Sequence, residues 1–274
     1  MKKILFQAVI IISLIFTVWF ALSRIDWMKI FKVEQITNKT EKKLGDLFWE
    51  LYNNSGKEIK NEEAVRPLDS ILTKICVSNT IDKSQVKLHL VQSDEINAFA
   101  LPNRHLVINT GLILAAEDEA ELAGVISHEI AHMELNHVMK KLVKEVGLSV
   151  LISMTTGSSS SEQVKEAVKL LSSSAYDRNL EKEADIKAVD YLKKSNINPV
   201  HFANFLSRLS DKEPAGIKYF SWISTHPDSK ERAEYITALC NKNTEYPQPV
   251  ISRQTWDTLR QYLTEKKDKI KFDE

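Results

Sequence analysis

A mainly helical α+β domain with a small sheet is the fold this chain predicts, and three observations carry that reading. Glycine and proline are scarce, seven of each in 274 residues, which disfavours a turn-rich β protein. Long stretches space their apolar residues at helical intervals, whereas only short ones alternate. The segment His128-Glu129-Ile130-Ala131-His132 lies in a run of small and apolar residues, and its spacing has chemical meaning only on a helix.

The elements follow in order. Lys2-Lys3 precede a run from Ile4 to Leu22 broken only by Gln7, Ser13 and Thr17. Its length is nearer the roughly 20 residues that span a bilayer than the roughly 7–15 of a secretory signal. Trp19, Phe20 and Trp27 are placed as interfacial aromatics. Residues 1–23 are therefore expected to be a single-pass anchor with the rest of the chain extracytoplasmic. The alternative is a signal peptide cleaved at Ala21-x-Ser23. Residues 24–64 read as a juxtamembrane helical region, with Leu47, Phe48, Leu51 and Tyr52 on one face. A domain is expected over residues 65–240.

Within that domain Pro67 is expected to open a helix over Leu68–Cys76 that Ser78-Asn79 ends. Val86–Val91 and His105–Asn109 alternate as strands. Asn97–Ala100 is extended or turning before Pro102. Gly111–Ala116 starts a helical region, and the motif helix, capped near Asp118, is expected to run to about Leu142. Residues 147–174 hold an apolar segment, a Gly157–Ser161 break read as a surface loop, and a short helix. Tyr176–Lys194 is helical up to Ile197-Asn198-Pro199, and helices follow over His201–Leu209 and Lys230–Cys240. Residues 241–274 form a helical tail bearing Trp256, Leu259, Tyr262 and Leu263.

Charge excludes some classes. With 37 basic and 37 acidic residues, no net field recommends nucleic acid or an acidic partner. Cys76 and Cys240 have neither a CxxC partner nor a neighbouring His, so they are not metal ligands. They are buried thiols or one disulfide.

The chemistry lies in the five-residue motif. At about 100° per residue His132 sits roughly 40° from His128, one turn on, so both imidazoles can grip one metal ion. Glu129 lies about 100° round, beside the metal, where a carboxylate can take a proton from an activated water. This pattern points to zinc hydrolysis, with one Zn2+ per chain. A catalytic zinc wants three protein ligands. On a continuous helix His137 would lie roughly 180° from His128, and the His-x-x-Gly-x-x-His spacing fails at Leu135 and Val138. His137 is thus read as an ordinary surface or structural residue. Glu181 and Asp185 share a helix face at i, i+4, with Glu183 pointing away. One of the two would bind metal and the other would accept an imidazole N–H; spacing does not assign the roles.

His128-Glu-Ile-Ala-His132 followed by Arg178-Asn-Leu-Glu181-Lys-Glu-Ala-Asp185 resembles the M48 family of zinc metallopeptidases, which are gluzincins. The resemblance covers roughly residues 65–240. It implies zinc on His128, His132 and Glu181, Glu129 as general base, and Asp185 behind the ligands. Asn97-Ala98-Phe99-Ala100-Leu101-Pro102 and Asn109-Thr110-Gly111-Leu112 also resemble the family. They imply that Asn97, Ala98 and Phe99 lie on an edge strand to which substrate adds in β fashion. Thr225-His226-Pro227-Asp228 with Glu231-Arg232 resembles the family's His-Pro element. It implies that His226 stabilises the oxyanion or occupies the metal's open position at rest. The family often has Ser-Arg where this chain has Asp177-Arg178, and a single apolar run sets the chain apart from multi-span members. The implied function is a zinc endopeptidase acting on envelope or membrane-associated proteins. The rival is a membrane-tethered, chaperone-like quality-control module with a latent zinc site.

Overall fold

A computed structural model describes residues 38–53, 57–212, 221–240, 246 and 249–273, and within the first twenty residues 7, 10–14, 16, 17 and 20. The chain divides into Met1–Thr37 and Asn38–Glu274. In the first unit the described positions are helical, and among the described residues no helix is long and apolar enough to cross a membrane. The span expected over residues 4–22 falls largely outside the described residues, as does Trp27.

The second unit opens with α1 (Asn38–Asn53) and α2 (Glu62–Ser78). α2 begins before the expected start at Pro67. The Asn61 side chain accepts from the Glu63 and Ala64 amides, and burial of Ala64, Pro67, Leu68, Ile71 and Leu72 supports the helix across the one bond that Pro67 cannot donate. Three strands form one sheet in the order β1-β3-β2. β1 (Lys87–Val91) runs parallel to β3 (His105–Asn109), and β2 (Ala98–Leu101) runs antiparallel to it. Central β3 is buried along its whole length. α3 (Thr110–Ala115) leaves β3 directly and leads into α4 (Glu119–Glu134), the motif helix.

The Asp118 side chain caps α4 by accepting from the Glu121 amide, as the sequence predicts. Every residue of α4 from Glu121 to Met133 is buried. Such burial leaves room for polar groups only where they find partners. α4 stops earlier than expected. Asn136 adopts the left-handed conformation at φ 57, a state that asparagine tolerates better than most residues. A separate helix α5 (His137–Glu145) starts there.

α6 (Leu148–Thr156) ends at left-handed Gly157, and Ser160 with Gln163 forms a capping box for α7 (Ser161–Ser173). The exposed turn between them is the predicted surface loop. α8 (Arg178–Lys194) packs along α4, and α9 (Val200–Lys212) crosses it where Gly124 lets Phe202 approach. Short α10 (Ser221–Thr225) precedes α11 (Ser229–Leu239). In the tail, α12 (Arg253–Asp273) buries Trp256, Leu259 and Leu263 and packs against α2 and α3. Cys76 and Cys240 are free thiols, the first of them buried.

Candidate metal centre

α4 and α8 bring the polar residues together because each carries them on the face it turns to the other. His128, Glu129 and His132 are fully buried, and so are Glu181 and Asp185 on α8. Glu183 keeps its side chain 59% exposed, as the helical angles require. The turn between α10 and α11 adds His226, and α11 adds Arg232, both buried.

Four donor atoms converge. His128 Nε2 lies 2.9 Å from His132 Nε2 and 3.2 Å from His226 Nδ1. Glu181 Oε1 lies 3.3 Å from His132 Nε2 and 2.9 Å from His226 Nδ1, while its Oε2 is 3.6 Å from His128 Nε2. All four groups fall within 4.8 Å of one another. A tetrahedral ion with ligands at about 2.0–2.1 Å separates them by about 3.4 Å, so these spacings fit zinc. Imidazole and carboxylate are also the donor types zinc prefers.

The charge balance agrees. Buried Glu129, Glu181 and Asp185 face the buried Arg232 guanidinium and the His226 imidazole. Three carboxylates outnumber these cations, and a divalent cation that displaced the His226 proton would balance the buried charge, which is costly when uncompensated. Burial raises the pKa of Glu129, but the neighbouring His226, His128 and His132 outweigh it and hold the carboxyl below its ordinary value. Glu181 is driven well below its ordinary value by His226 and Arg232 against the same burial. His226, although burial disfavours its charge, is held up at about 9 by Glu181 and Glu129. The carboxylates beside His226 thus favour positive charge at that point.

The surroundings orient each group. Asp185 Oδ1 is 2.8 Å from His128 Nδ1. Arg232 grips Asp185 through Nε and Nη2, each at 2.7 Å, and reaches Glu181 through Nη1 at 2.7 Å. The Tyr235 hydroxyl also donates to Asp185. Glu129 Oε1 faces His226 Nε2 at 3.3 Å. The Tyr176 ring stacks on His132 with centroids 4.1 Å apart, and Trp222 stacks on His226 at 4.6 Å.

Of the two readings left open for His137, surface or structural, the second holds: it is no member of the donor cluster and is wholly buried. The expectation assumed one continuous helix, whereas the left-handed turn at Asn136 brings His137 back against His132 at 3.0 Å. Burial and the neighbouring charges of His132 and Lys140 push its pKa down to about 3.

Local spacing assigns no role to Tyr235, Tyr176 or Trp222. Arg232 has one signal, its place six residues after His226 in the Thr225–Arg232 segment, which does not disclose its contact with the acid pair. Asp177 stands just before α8 without capping it and pairs with Lys144 at 2.8 Å.

Ala98 and Phe99 lie on β2, an outer strand of the sheet that packs against α4. Asn97 precedes it, buried, and its Nδ2 donates to the Ser172 carbonyl at 3.0 Å. α7 therefore borders the same strand.

The fold and the donor set define a gluzincin-type domain, in which a motif helix and a carboxylate helix enclose one metal site. Residues 63–239 match the model of peptidase family M48, and the chain belongs to that family. It is 25% identical over 214 residues to a putative beta-barrel assembly-enhancing protease of Vibrio cholerae, covering 71% of this chain and 44% of the relative. It is 28% identical over 182 residues to the metalloprotease LoiP of Escherichia coli, covering 64% of this chain and 70% of that one. Against the mitochondrial metalloendopeptidase OMA1 of Bos taurus it is 30% identical over 185 residues, covering 61% of this chain and 34% of the relative. The chain spans under half the length of the assembly-enhancing proteases it matches.

Proposed function

We propose that this protein is a zinc metalloendopeptidase that hydrolyses peptide bonds of envelope or membrane-associated proteins. The observation that carries the reading is the buried His128, His132, Glu181 and His226 cluster with Glu129 beside it. When bound, zinc supplies Lewis-acid chemistry, polarising the scissile carbonyl and acidifying water. Glu129 accepts the proton of the attacking water and passes it to the leaving amine nitrogen. Asp185 accepts the His128 Nδ1–H and keeps Nε2 free to ligate. Asn97, Ala98 and Phe99 receive the substrate as an added strand, whose main-chain bonds set its register.

His226 Nδ1 lies 2.9 Å from Glu181, and this side chain would either fill the metal's open position at rest or donate to the developing oxyanion. An extracytoplasmic location with residues 1–23 as anchor or signal is part of the proposal. Its supports are the apolar run after Lys2-Lys3 and the relatives named for β-barrel assembly.

The test is metal content and cleavage of an unfolded protein substrate. Wild type is expected to hold one zinc, and Glu129→Gln to keep zinc while losing about 100-fold or more of its rate. Protein that binds no stoichiometric zinc, or a Glu129→Gln variant that cuts as well as wild type, would sink the reading. Comparing membrane proteomes of cells carrying either form then identifies clients as proteins that accumulate with Glu129→Gln.

The His226 position also favours a second reading, a tethered quality-control module whose zinc site stays latent. That reading expects no cleavage from wild type or His226→Ala, together with retention of unfolded clients. The peptidase reading expects His226→Ala to change the cleavage rate.

A further inference from the structure

We propose that His137 and Glu183 are a positioning pair that fixes His132 in its metal-binding tautomer, so that each of the two motif imidazoles is held from behind. The inference rests on the metal-centre reading above and extends it to a residue outside the donor set.

The argument is proton counting along a chain of atoms. His132 Nε2 faces the donor cluster, 2.9 Å from His128 Nε2 and 3.3 Å from Glu181 Oε1. An imidazole that ligates through Nε2 carries its proton on Nδ1. His132 Nδ1 lies 3.0 Å from His137 Nδ1. Two facing nitrogens share one proton, so His132 Nδ1–H donates and His137 Nδ1 must accept. His137 then carries its own proton on Nε2. That nitrogen lies 3.2 Å from Glu183 Oε2, and a carboxylate accepts there. Only this assignment satisfies all three groups at once, and the carboxylate end selects it.

The arrangement differs between the two ligands. His128 Nδ1 meets Asp185 directly, at 2.8 Å. His132 meets Glu183 only through the intervening ring. Glu183 and Asp185 sit on opposite faces of α8, one 59% exposed and the other buried, so one helix braces both ligands. The left-handed residue Asn136, at φ 57, makes the contact possible. Without it His137 would continue α4 and turn about 140° away from His132.

The test measures zinc affinity by competition with a chromophoric chelator, and the visible spectrum of the cobalt-substituted protein, on the full chain. His137→Leu removes the acceptor and is expected to weaken zinc binding about 10–100-fold and to alter the cobalt spectrum. His137→Asn places an amide oxygen near the position of Nδ1 and is expected to stay within about threefold of wild type. Glu183→Leu changes an exposed side chain and is expected to lose about three- to tenfold, with the melting temperature of the metal-free protein unchanged. Should His137→Leu fail to fold, Glu183→Leu decides. Glu183→Leu binding zinc as wild type does, or His137→Asn losing as much as His137→Leu, would overturn the pair. Wild type that binds no zinc in the same titration would instead reject the metal-centre reading.

Discussion

At the residue scale, Arg232 holds the site's electrostatics together. It contacts both Glu181 and Asp185 at 2.7 Å, and all three side chains are almost wholly buried. Removing one partner of a buried ion pair strands the other charges in a poorly solvating interior. Arg232→Met is therefore expected to lower the unfolding free energy of the zinc-loaded protein by about 3–5 kcal/mol, read from urea midpoints. An unchanged midpoint would show that water already solvates these carboxylates. The Asp185 half of this network is legible in sequence, because Glu181 and Asp185 share a face. Its pairing with Arg232 is not, because that residue lies 47 positions beyond Asp185 and no local period links it to α8.

At the element scale, the motif helix depends on a close crossing. A Cβ on Gly124 would stand 2.4 Å from Phe202 Cβ, an atom too near the backbone to move without shifting α9. Gly124→Ala is expected to cost about 1–3 kcal/mol or more, and a melting curve as high as wild type would refute the tight crossing. The sheet makes a second prediction. His105 on β3 is 3% exposed, and burial, aided by the charges of Lys87 and His89, pushes its pKa down to about 4. The unfolded chain titrates near 6.5, so between those values the unfolded state binds more protons. Stability is full above that upper value and falls as the pH drops toward the lower one. His105 alone should remove about 2 kcal/mol between pH 7.5 and 5. His105→Phe should flatten that acid limb, and urea midpoints at the two pH values measure it. An equally steep loss in the variant would assign the limb to other groups.

At the scale of the whole molecule, the metal centre joins α4, α8 and the turn before α11. Chelation should therefore loosen all three. With zinc at about 100 times its dissociation constant, binding adds about 2.7 kcal/mol to the native state. For a domain of this size that corresponds to a melting temperature about 5–10 °C higher than that of the chelated protein. A calorimetric trace indifferent to chelator would contradict a coupled site. α12 also belongs to this unit, since Trp256 lies across α4's entry and donates to the Glu117 carbonyl at 3.3 Å.

The sequence by itself determined what depends on local spacing. Helical period set the face shared by His128 and His132 and the one shared by Glu181 and Asp185. The Asp118 cap, the strand at His105–Asn109 and the mainly helical class are likewise local. Tertiary structure alone decided what depends on distant chain segments and on one backbone angle. It placed Arg232 against the acid pair and His226 at the fourth corner of the donor set. At Asn136 a single left-handed residue ended the helix that periodicity would have continued, and so turned His137 from the far side of a helix into the neighbour of His132. Periodicity assumes an unbroken helix, and one positive φ is enough to redirect every side chain after it.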